Sequence, residues 1–273
     1  MFYSIVRRGI LLSASTCCVA VVWFGHARVG VGEEPAKKTE GDSRETIDRI
    51  AKNYELFLGA DSIPLEMEPE PVLRWPNVTR DTREGATYVW TWDGRPEAIA
   101  CVWENGGYWS HAFHSLSESK LVAKHNSRTI WHPEKEGIKF SRFPEAPTPA
   151  DSAVKRLVQM RELARRFSCR LMHDDGNSEE LRFLPRPLYR YKTERKDLLD
   201  GALFAFVQGT DPEVILVLEV AREQGQFEWR YVLTRRSMRA LEGDLDGKRI
   251  WSAARTAGGA GEAWFHGALG RMN

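Results

Sequence analysis

The spacing of apolar residues predicts two amphipathic helices. One is expected over residues 44–58, where apolar side chains recur every three or four positions until Gly59. The second is expected over residues 148–167, because the stretch that starts at Thr148 and Pro149 has a helix-start composition and an apolar stripe follows it. Outside these two segments, the pattern changes to that of strands.

Most of the remaining chain has the pattern of antiparallel strands. Asp93 and Gly94 form the dipeptide of a two-residue type I′ turn, so the flanking residues are expected to form a hairpin with Trp90 opposite Glu97. The runs ALFAFV and VILVLEV are apolar at every position, which is typical of strands buried on both faces. We therefore expect an α+β fold, a largely antiparallel twisted sheet with the two main helices packed on it.

The composition along the chain predicts a single folded domain over residues 44–273. No linker rich in glycine, serine or proline divides this region, and no internal repeat is visible in it. Residues 28–43 are small and charged without periodicity, which predicts a flexible tether before the domain.

The N-terminal 27 residues have the layout of an export signal. Arg7 and Arg8 precede an apolar stretch over residues 9–25, and a small-x-small pattern ends at Ala27. The alternative is an uncleaved membrane anchor, since the apolar stretch is only slightly shorter than a bilayer-spanning helix. The protein is thus expected in the periplasm, in the cell envelope or outside the cell, and on the membrane if the segment is retained.

The charge balance does not favour nucleic acid as a partner. The whole chain has a net charge of +1, and residues 1–27 contain two arginines and no acid, so the rest of the chain is close to neutral. A nucleic-acid surface requires clustered excess lysine and arginine. Membrane contact is expected only through the N-terminal segment, if it is uncleaved.

Two cysteines, Cys101 and Cys169, follow the N-terminal segment. In an oxidising compartment they are able to form a disulfide. Two buried free thiols are an equally acceptable interpretation, because bridge geometry cannot be read from a sequence.

The segment GYWSHAFHSLS, which starts at residue 107, contains His111 and His114 three positions apart. In a strand this spacing places the two rings on opposite faces, so we expect no shared metal site, and neither a metal nor another cofactor is predicted. Trp109 and His111 share the more apolar face. His111 is therefore expected to be packed or to face a cleft, and His114 to be more exposed.

Tryptophans and two acidic residues are the other candidates for binding. Trp90 and Trp92 lie on one side of the predicted hairpin near Glu97, where aromatic faces would stack on a flat ligand or would simply fill the core. Asp211 and Glu213 follow the turn between the two most apolar strands, a position that suits either ligand binding or turn formation.

These features predict a non-catalytic binding or envelope-associated protein whose partner is an unknown ligand or envelope component. No spacing typical of a nucleophile with its base is present. The alternative is an extracytoplasmic hydrolase acting on a polymer or glycan through a carboxylate, such as Glu97 or Asp211, and a histidine.

Three segments resemble an uncharacterised family of exported bacterial proteins. They are TWDGRPE at residues 91–97, FHSLS at 113–117 and DGALFAFVQGTDPE at 200–213. The resemblance implies export. It implies no activity and no catalytic residue.

We predict that the exported protein is cleaved after Ala27, because the small-x-small pattern follows the apolar stretch directly. The intact mass of the protein recovered from the exporting cell measures this. A mass that includes residues 1–27 would mean that the segment is an anchor.

Overall fold

Antiparallel strands dominate the fold, and the expected α+β class is wrong. Strands account for 55% of the residues and helices for only 10%, in several sheets and a half-barrel. The computed structural model describes residues 40–59, 62–77, 80 and 82–271. The predicted export signal and residues 28–39 of the predicted tether lie outside the described residues, which belong to one compact unit.

The first half of the described chain contains a helix followed by nine strands. They are α1 Glu40–Lys52, β1 Tyr54–Leu58, β2 Ile63–Pro64, β3 Glu66–Met67, β4 Leu73–Asn77, β5 Thr82–Trp92, β6 Arg95–Asn105, β7 Tyr108–Ser115, β8 Leu121–His125 and β9 Arg128–Trp131.

The second half contains a short strand, a helix and ten further strands. They are β10 Ser141–Arg142, α2 Ala153–Ala164, β11 Phe167–Met172, β12 Ser178–Glu180, β13 Arg182–Phe183, β14 Tyr189–Tyr191, β15 Leu198–Gln208, β16 Asp211–Glu223, β17 Gln226–Arg235, β18 Ala240–Leu245, β19 Lys248–Ala253 and β20 Trp264–Arg271.

The first helix is shifted relative to its prediction over residues 44–58. It begins at Glu40, inside the predicted tether, and ends at Lys52. Tyr54 and Leu58 are instead buried on one face of β1, which pairs with β8. Residues four apart share a face in a strand as well as in a helix, so their spacing alone does not distinguish the two.

The second helix is shorter than the predicted span of residues 148–167. Ser152 is its N-cap and accepts a hydrogen bond from the backbone N–H of Lys155, so Thr148 and Pro149 lie before the helix. At the other end, Phe167 already begins β11.

The two halves have the same strand pairing. The four-stranded sheets have the orders β2-β1-β8-β9 and β12-β11-β18-β19. The six-stranded sheets contain β20-β7-β6-β5-β3 and β10-β17-β16-β15-β13, with β4 also on β5 and β14 also on β15. The expectation of no internal repeat is therefore wrong, because the described chain is a structural repeat.

A constant offset of 116 residues relates the central strands of the two halves. Strands β3 to β6 and their equivalents β13 to β16 begin at Glu66 and Arg182, Leu73 and Tyr189, Thr82 and Leu198, and Arg95 and Asp211. Glu97 and Glu213 are equivalent, and each is the extra residue of a β-bulge. Identical residues at this offset are few in the central hairpins: Gly85, Ala86, Pro96, Glu97 and Ile99 recur as Gly201, Ala202, Pro212, Glu213 and Ile215.

Each half has a glycine that lies directly under an aromatic ring, and the two glycines are at equivalent positions. A Cβ on Gly85 would lie 2.7 Å from the ring of Trp75, and a Cβ on Gly201 would lie 2.3 Å from the ring of Tyr191. Each aromatic side chain thus covers the backbone of the neighbouring strand.

The halves exchange their last strands. β10 follows β9 in the chain but pairs with β17 in the second half. β20 follows β19 but pairs with β7 in the first half. The exchange makes the folding of each half depend on the other.

Three hydrophobic cores lie within the described residues. Two lie within the halves, each between a helix, a four-stranded sheet and a six-stranded sheet. The third joins the two six-stranded sheets and includes Val89 and Ile99 from the first half with Leu203 and Ile215 from the second. Both faces of β15 and β16 are therefore covered, which confirms the interpretation of the two continuous apolar runs.

The hairpin at Asp93 and Gly94 is confirmed, but its predicted register is not. Both residues have positive φ, 51° and 74°, as a type I′ turn requires. Trp90 pairs with Ala98 rather than with Glu97. The predicted pair is wrong because the bulge leaves Glu97 without a partner strand residue.

We predict that Leu216→Asp prevents stable folding. Leu216 is fully buried in the core of the second half, and an unpaired carboxylate there costs several kcal/mol. Chemical denaturation of the purified variant measures the loss. Val154→Asp, in the exposed first turn of α2, is the control and should melt like the wild type; equal stability of both variants would contradict this core assignment.

Candidate functional site

A pocket of about 480 Å³ lies at the seam between the two halves. Its floor is the inner face of β6 and β7, with Trp103 and Ser110 as a cross-strand pair. The second half contributes Asp211, at the start of β16, and residues 236–239. We call this site the tryptophan pocket.

Aromatic rings form much of the pocket wall. The lining aromatic residues are Trp75, Trp103, Tyr108, Trp264 and His266. The rings of Trp75 and Trp103 have centroids 6.3 Å apart, and the ring of His266 lies 5.6 Å from Trp103 and stacks on Trp264 at 6.2 Å. Tyr108 is 52% exposed, so the aromatic surface continues to the solvent. Such a wall suits a flat ligand.

The equivalent place in the second half is closed by charged side chains. At the 116-residue offset, Trp103 corresponds to Glu219, whose cross-strand partner Arg230 takes the place of Ser110. Glu219 accepts hydrogen bonds from Arg95 at 2.8 Å, from Arg230 at 2.6 Å and from Tyr191 at 2.7 Å. We call this group the closed counterpart. Its ion pairs lie where the first half has Trp103 and Ser110, and only a smaller cavity of about 210 Å³ remains beside Arg230.

Arg236 is the most buried basic residue of the tryptophan pocket. It donates hydrogen bonds to the backbone oxygen of Ile99 at 3.1 Å and to the sulfur of Cys101 at 2.7 Å. Its backbone N–H donates to the carbonyl of Glu213, as the N–H of Leu116 does to Glu97. Arg236 therefore stands where the closed counterpart has Leu116.

Two carboxylates lie beside the pocket at the start of β16. Asp211 accepts hydrogen bonds from Asn77 at 3.0 Å and Arg80 at 3.3 Å. Arg80 also lies 2.7 Å from Glu213, an ion pair without hydrogen-bond geometry, so the buried oxygens of Glu213 make no hydrogen bond. Burial, together with the neighbouring charge of Glu213, raises the pKa of Asp211 to about 7.

Of the binding residues predicted from the sequence, Asp211 lines the tryptophan pocket and the others do not. Trp90 and Trp109 fill the core of the first half, with 1% of each exposed. Trp92 is 38% exposed at the hairpin end, where the guanidinium of Arg195 lies over its ring. The predicted group of Trp90, Trp92, Glu97 and His111 thus does not form one cleft.

Glu97 belongs to the closed counterpart. Only 3% of Glu97 is exposed, and Arg95 donates to its carboxylate at 2.9 Å. Burial raises the pKa of Glu97 above its usual range, against the opposing effect of Arg95. Its contacts are those of a structural ion pair.

Both histidines of β7 are buried, on opposite faces of the strand. His111 is within 2.6 Å of the hydroxyl of Tyr54, and the Nδ1 of His114 lies 2.7 Å from the carbonyl of Ser115. Burial lowers the pKa of each histidine to about 3. The expectation that His114 is the more exposed is wrong, because its face of β7 is covered as well.

Cys101 and Cys169 are both free and buried, so the disulfide alternative does not apply. Cys101 lines the tryptophan pocket, whereas Cys169 lies in the core of the second half. Burial raises the pKa of the Cys169 thiol.

The described part of the chain contains no group of three or more histidine, cysteine or acidic side chains placed to hold a metal ion. Within the same residues, neither helix is long and apolar enough to cross a membrane. Comparisons with protein-family models, with curated proteins and with solved structures find no match.

Sequence reasoning missed most of the pocket. Trp103 belongs to the tryptophan-rich hairpin, but Trp264 and His266 lie on the exchanged strand β20, far away in the sequence. Pro-Glu recurs at residues 96–97 and 212–213, but the same dipeptide also occurs at 69–70, 133–134 and 144–145, so it does not reveal the repeat by itself. Once the repeat is known, the difference between Trp103 and its equivalent residue Glu219 identifies the open site.

We predict that the wild type loses folding stability as pH rises from 4 to 7 because of Asp211. The variant Asp211→Asn should not show this loss. The folded pKa is about 7 and the ordinary value is 3.8, so in this window folded Asp211 retains a proton that the unfolded chain has lost. Stability due to Asp211 therefore falls as pH rises, by up to about 1.4 kcal/mol per pH unit.

Denaturant unfolding of wild type and Asp211→Asn at pH 5 and pH 8 measures the difference. Asp197→Asn is the control, since Asp197 is largely exposed. Parallel pH dependence of wild type and Asp211→Asn would contradict the prediction.

Proposed function

We propose that this protein is an exported, non-catalytic binding protein and that the tryptophan pocket holds a small ligand with a flat apolar part. The observation that carries the proposal is the difference between the two halves. The same scaffold position is filled by buried ion pairs in the closed counterpart and is left as a cavity of about 480 Å³ beside Trp103. Export rests on the composition of residues 1–27.

The chemistry of the wall supports a flat ligand. Small-molecule sites are concave and mostly apolar, with a few polar groups that fix orientation. Trp103, Trp264 and His266 supply ring faces, while Ser110 and Ser237 supply hydroxyl groups. This is the composition expected for stacking with some directional hydrogen bonding.

A hydrolase is the second candidate, because Asp211 and His266 line the same pocket and the pKa of Asp211 is near 7. Hydrolysis of a glycan by two carboxylates requires a second acid across the cleft, about 5–10 Å away. Among the described lining residues, Asp211 is the only acidic one. Binding is therefore the better supported function.

We predict that the double substitution Trp103→Glu and Ser110→Arg weakens binding of a flat aromatic probe. The two changes transfer the ion pair of Glu219 and Arg230 into the tryptophan pocket, where it should fill the space. Binding of 2-naphthamide is measured by quenching of tryptophan fluorescence and by calorimetry. The wild type should bind this probe, and the double variant should bind it at least about tenfold more weakly, a loss of about 1.4 kcal/mol.

Trp92→Ala is the matched control, because Trp92 is an exposed tryptophan outside the pocket. It should bind the probe like the wild type. Loss of binding in Trp92→Ala with retention in the double variant would move the site to the hairpin end. Absence of binding to the wild type would refute the pocket as a site for flat aromatic ligands.

A further inference from the structure

We infer that the ligand of the tryptophan pocket carries an anionic group, which the guanidinium of Arg236 recognises. This inference rests on the proposed binding function and specifies the chemical class of its ligand. Its basis is a difference in charged partners among the buried arginines.

Three arginines of the described chain are less than a tenth exposed: Arg95 at 3%, Arg156 at 6% and Arg236 at 7%. Arg95 is paired with Glu97 and Glu219, at 2.9 Å and 2.8 Å. Arg156 is paired with a carboxylate oxygen of Asp200 at 2.8 Å. Arg236 differs, because it forms no ion pair within 4.0 Å among the described residues, and its charge reaches the carboxyl of Asp211 only at longer range.

A buried guanidinium without a counterion is costly, since burial removes the solvation of its charge. The neutral partners of Arg236, the carbonyl of Ile99 and the sulfur of Cys101, satisfy hydrogen bonds without balancing the charge. The Nε of Arg236 has no hydrogen-bond partner. An anion in the pocket would supply the missing charge.

The nearby acids are already engaged by another cation. Arg80 contacts both Asp211 and Glu213, and Asn77 also donates to Asp211. Arg239, which is exposed, adds a further positive charge to the lining. The lining thus contains three arginines, Arg80, Arg236 and Arg239, against one acid, Asp211, a charge balance that favours an incoming anion.

In the closed counterpart, the protein itself supplies both the buried cation and its anion. There, Glu219 is the anion that balances Arg95. At the position equivalent to Glu219 the first half has Trp103, so its own chain provides a ring face in place of the carboxylate. The cation stands at a different position in the two sites, since Arg95 corresponds to Asp211 and Arg236 to Leu116. A flat ligand that stacks on Trp103 would bring a carboxylate into the pocket that Arg236 lines.

The test compares two probes that differ only in charge, 2-naphthoate and 2-naphthamide, in calorimetric titrations of the whole protein. The wild type should bind the carboxylate at least tenfold more tightly than the amide. Equal affinities would overturn the inference and leave the proposed binding function standing. Absence of binding by both probes would refute the proposed function together with the inference.

Cys101→Asp supplies a counterion from within the protein. The sulfur of Cys101 is 2.7 Å from a guanidinium nitrogen of Arg236, so a carboxylate at this position would reach the same group. In this variant the ratio of the affinities for 2-naphthoate and 2-naphthamide should fall below that of the wild type, whatever the affinity for the amide itself. Cys101→Ser, which adds no charge, is the matched control and should retain the preference; an unchanged preference in Cys101→Asp would overturn the inference.

The melting temperatures of two variants show whether Arg236 serves ligand recognition or the stability of the fold. Arg236→Met leaves no carboxylate unpaired, so its melting temperature should match or exceed that of the wild type. Arg95→Met leaves Glu97 and Glu219 without their cation and should melt roughly 10 °C lower. An equal loss in Arg236→Met would assign Arg236 to the structure and overturn the inference.

Discussion

The packing of the two six-stranded sheets against each other is the constraint on which the rest of the structure depends. Each sheet already covers a core within its own half, so the contact between the sheets buries the second face of the central strands. A polar group on that inner face cannot reach water and must find its partner inside the seam. Glu219 is fully buried there and accepts four hydrogen bonds, one each from Arg95 and Tyr191 and two from Arg230.

The repeat explains why the seam has two equivalent positions with different contents. Both halves place a bulged glutamate, Glu97 or Glu213, beside the hairpin turn, and both cover a glycine with an aromatic ring. The two halves differ in the cross-strand pair that lies further along the same strands. This pair is Glu219 with Arg230 in the second half and Trp103 with Ser110 in the first. One copy of the scaffold is sealed by ion pairs, and the other is open between rings and the buried Arg236.

The exchanged strands make the pocket a property of the whole chain. β20 brings Trp264 and His266 from the end of the described chain onto the sheet of the first half. The second half contributes Asp211 from the start of β16 and Arg236 from the segment that follows β17. Each half alone would therefore lack part of the pocket wall.

The sequence by itself determined the features that depend on neighbouring residues. The Asp93-Gly94 turn and the continuously apolar strands β15 and β16 follow from backbone sterics and from the period of burial. Helix bounds were determined less well, because Tyr54 and Leu58 share a face in either conformation.

Only the tertiary structure decided which residues meet across the seam. A bulge shifted the register that would have paired Trp90 with Glu97, and burial on both sides of β7 covered His114 as well as His111. Arg236 and Trp103 are far apart in the chain, and their placement at one pocket depends on the packing of the two six-stranded sheets. Long-range packing brings such residues together, and no local pattern in the sequence encodes its geometry.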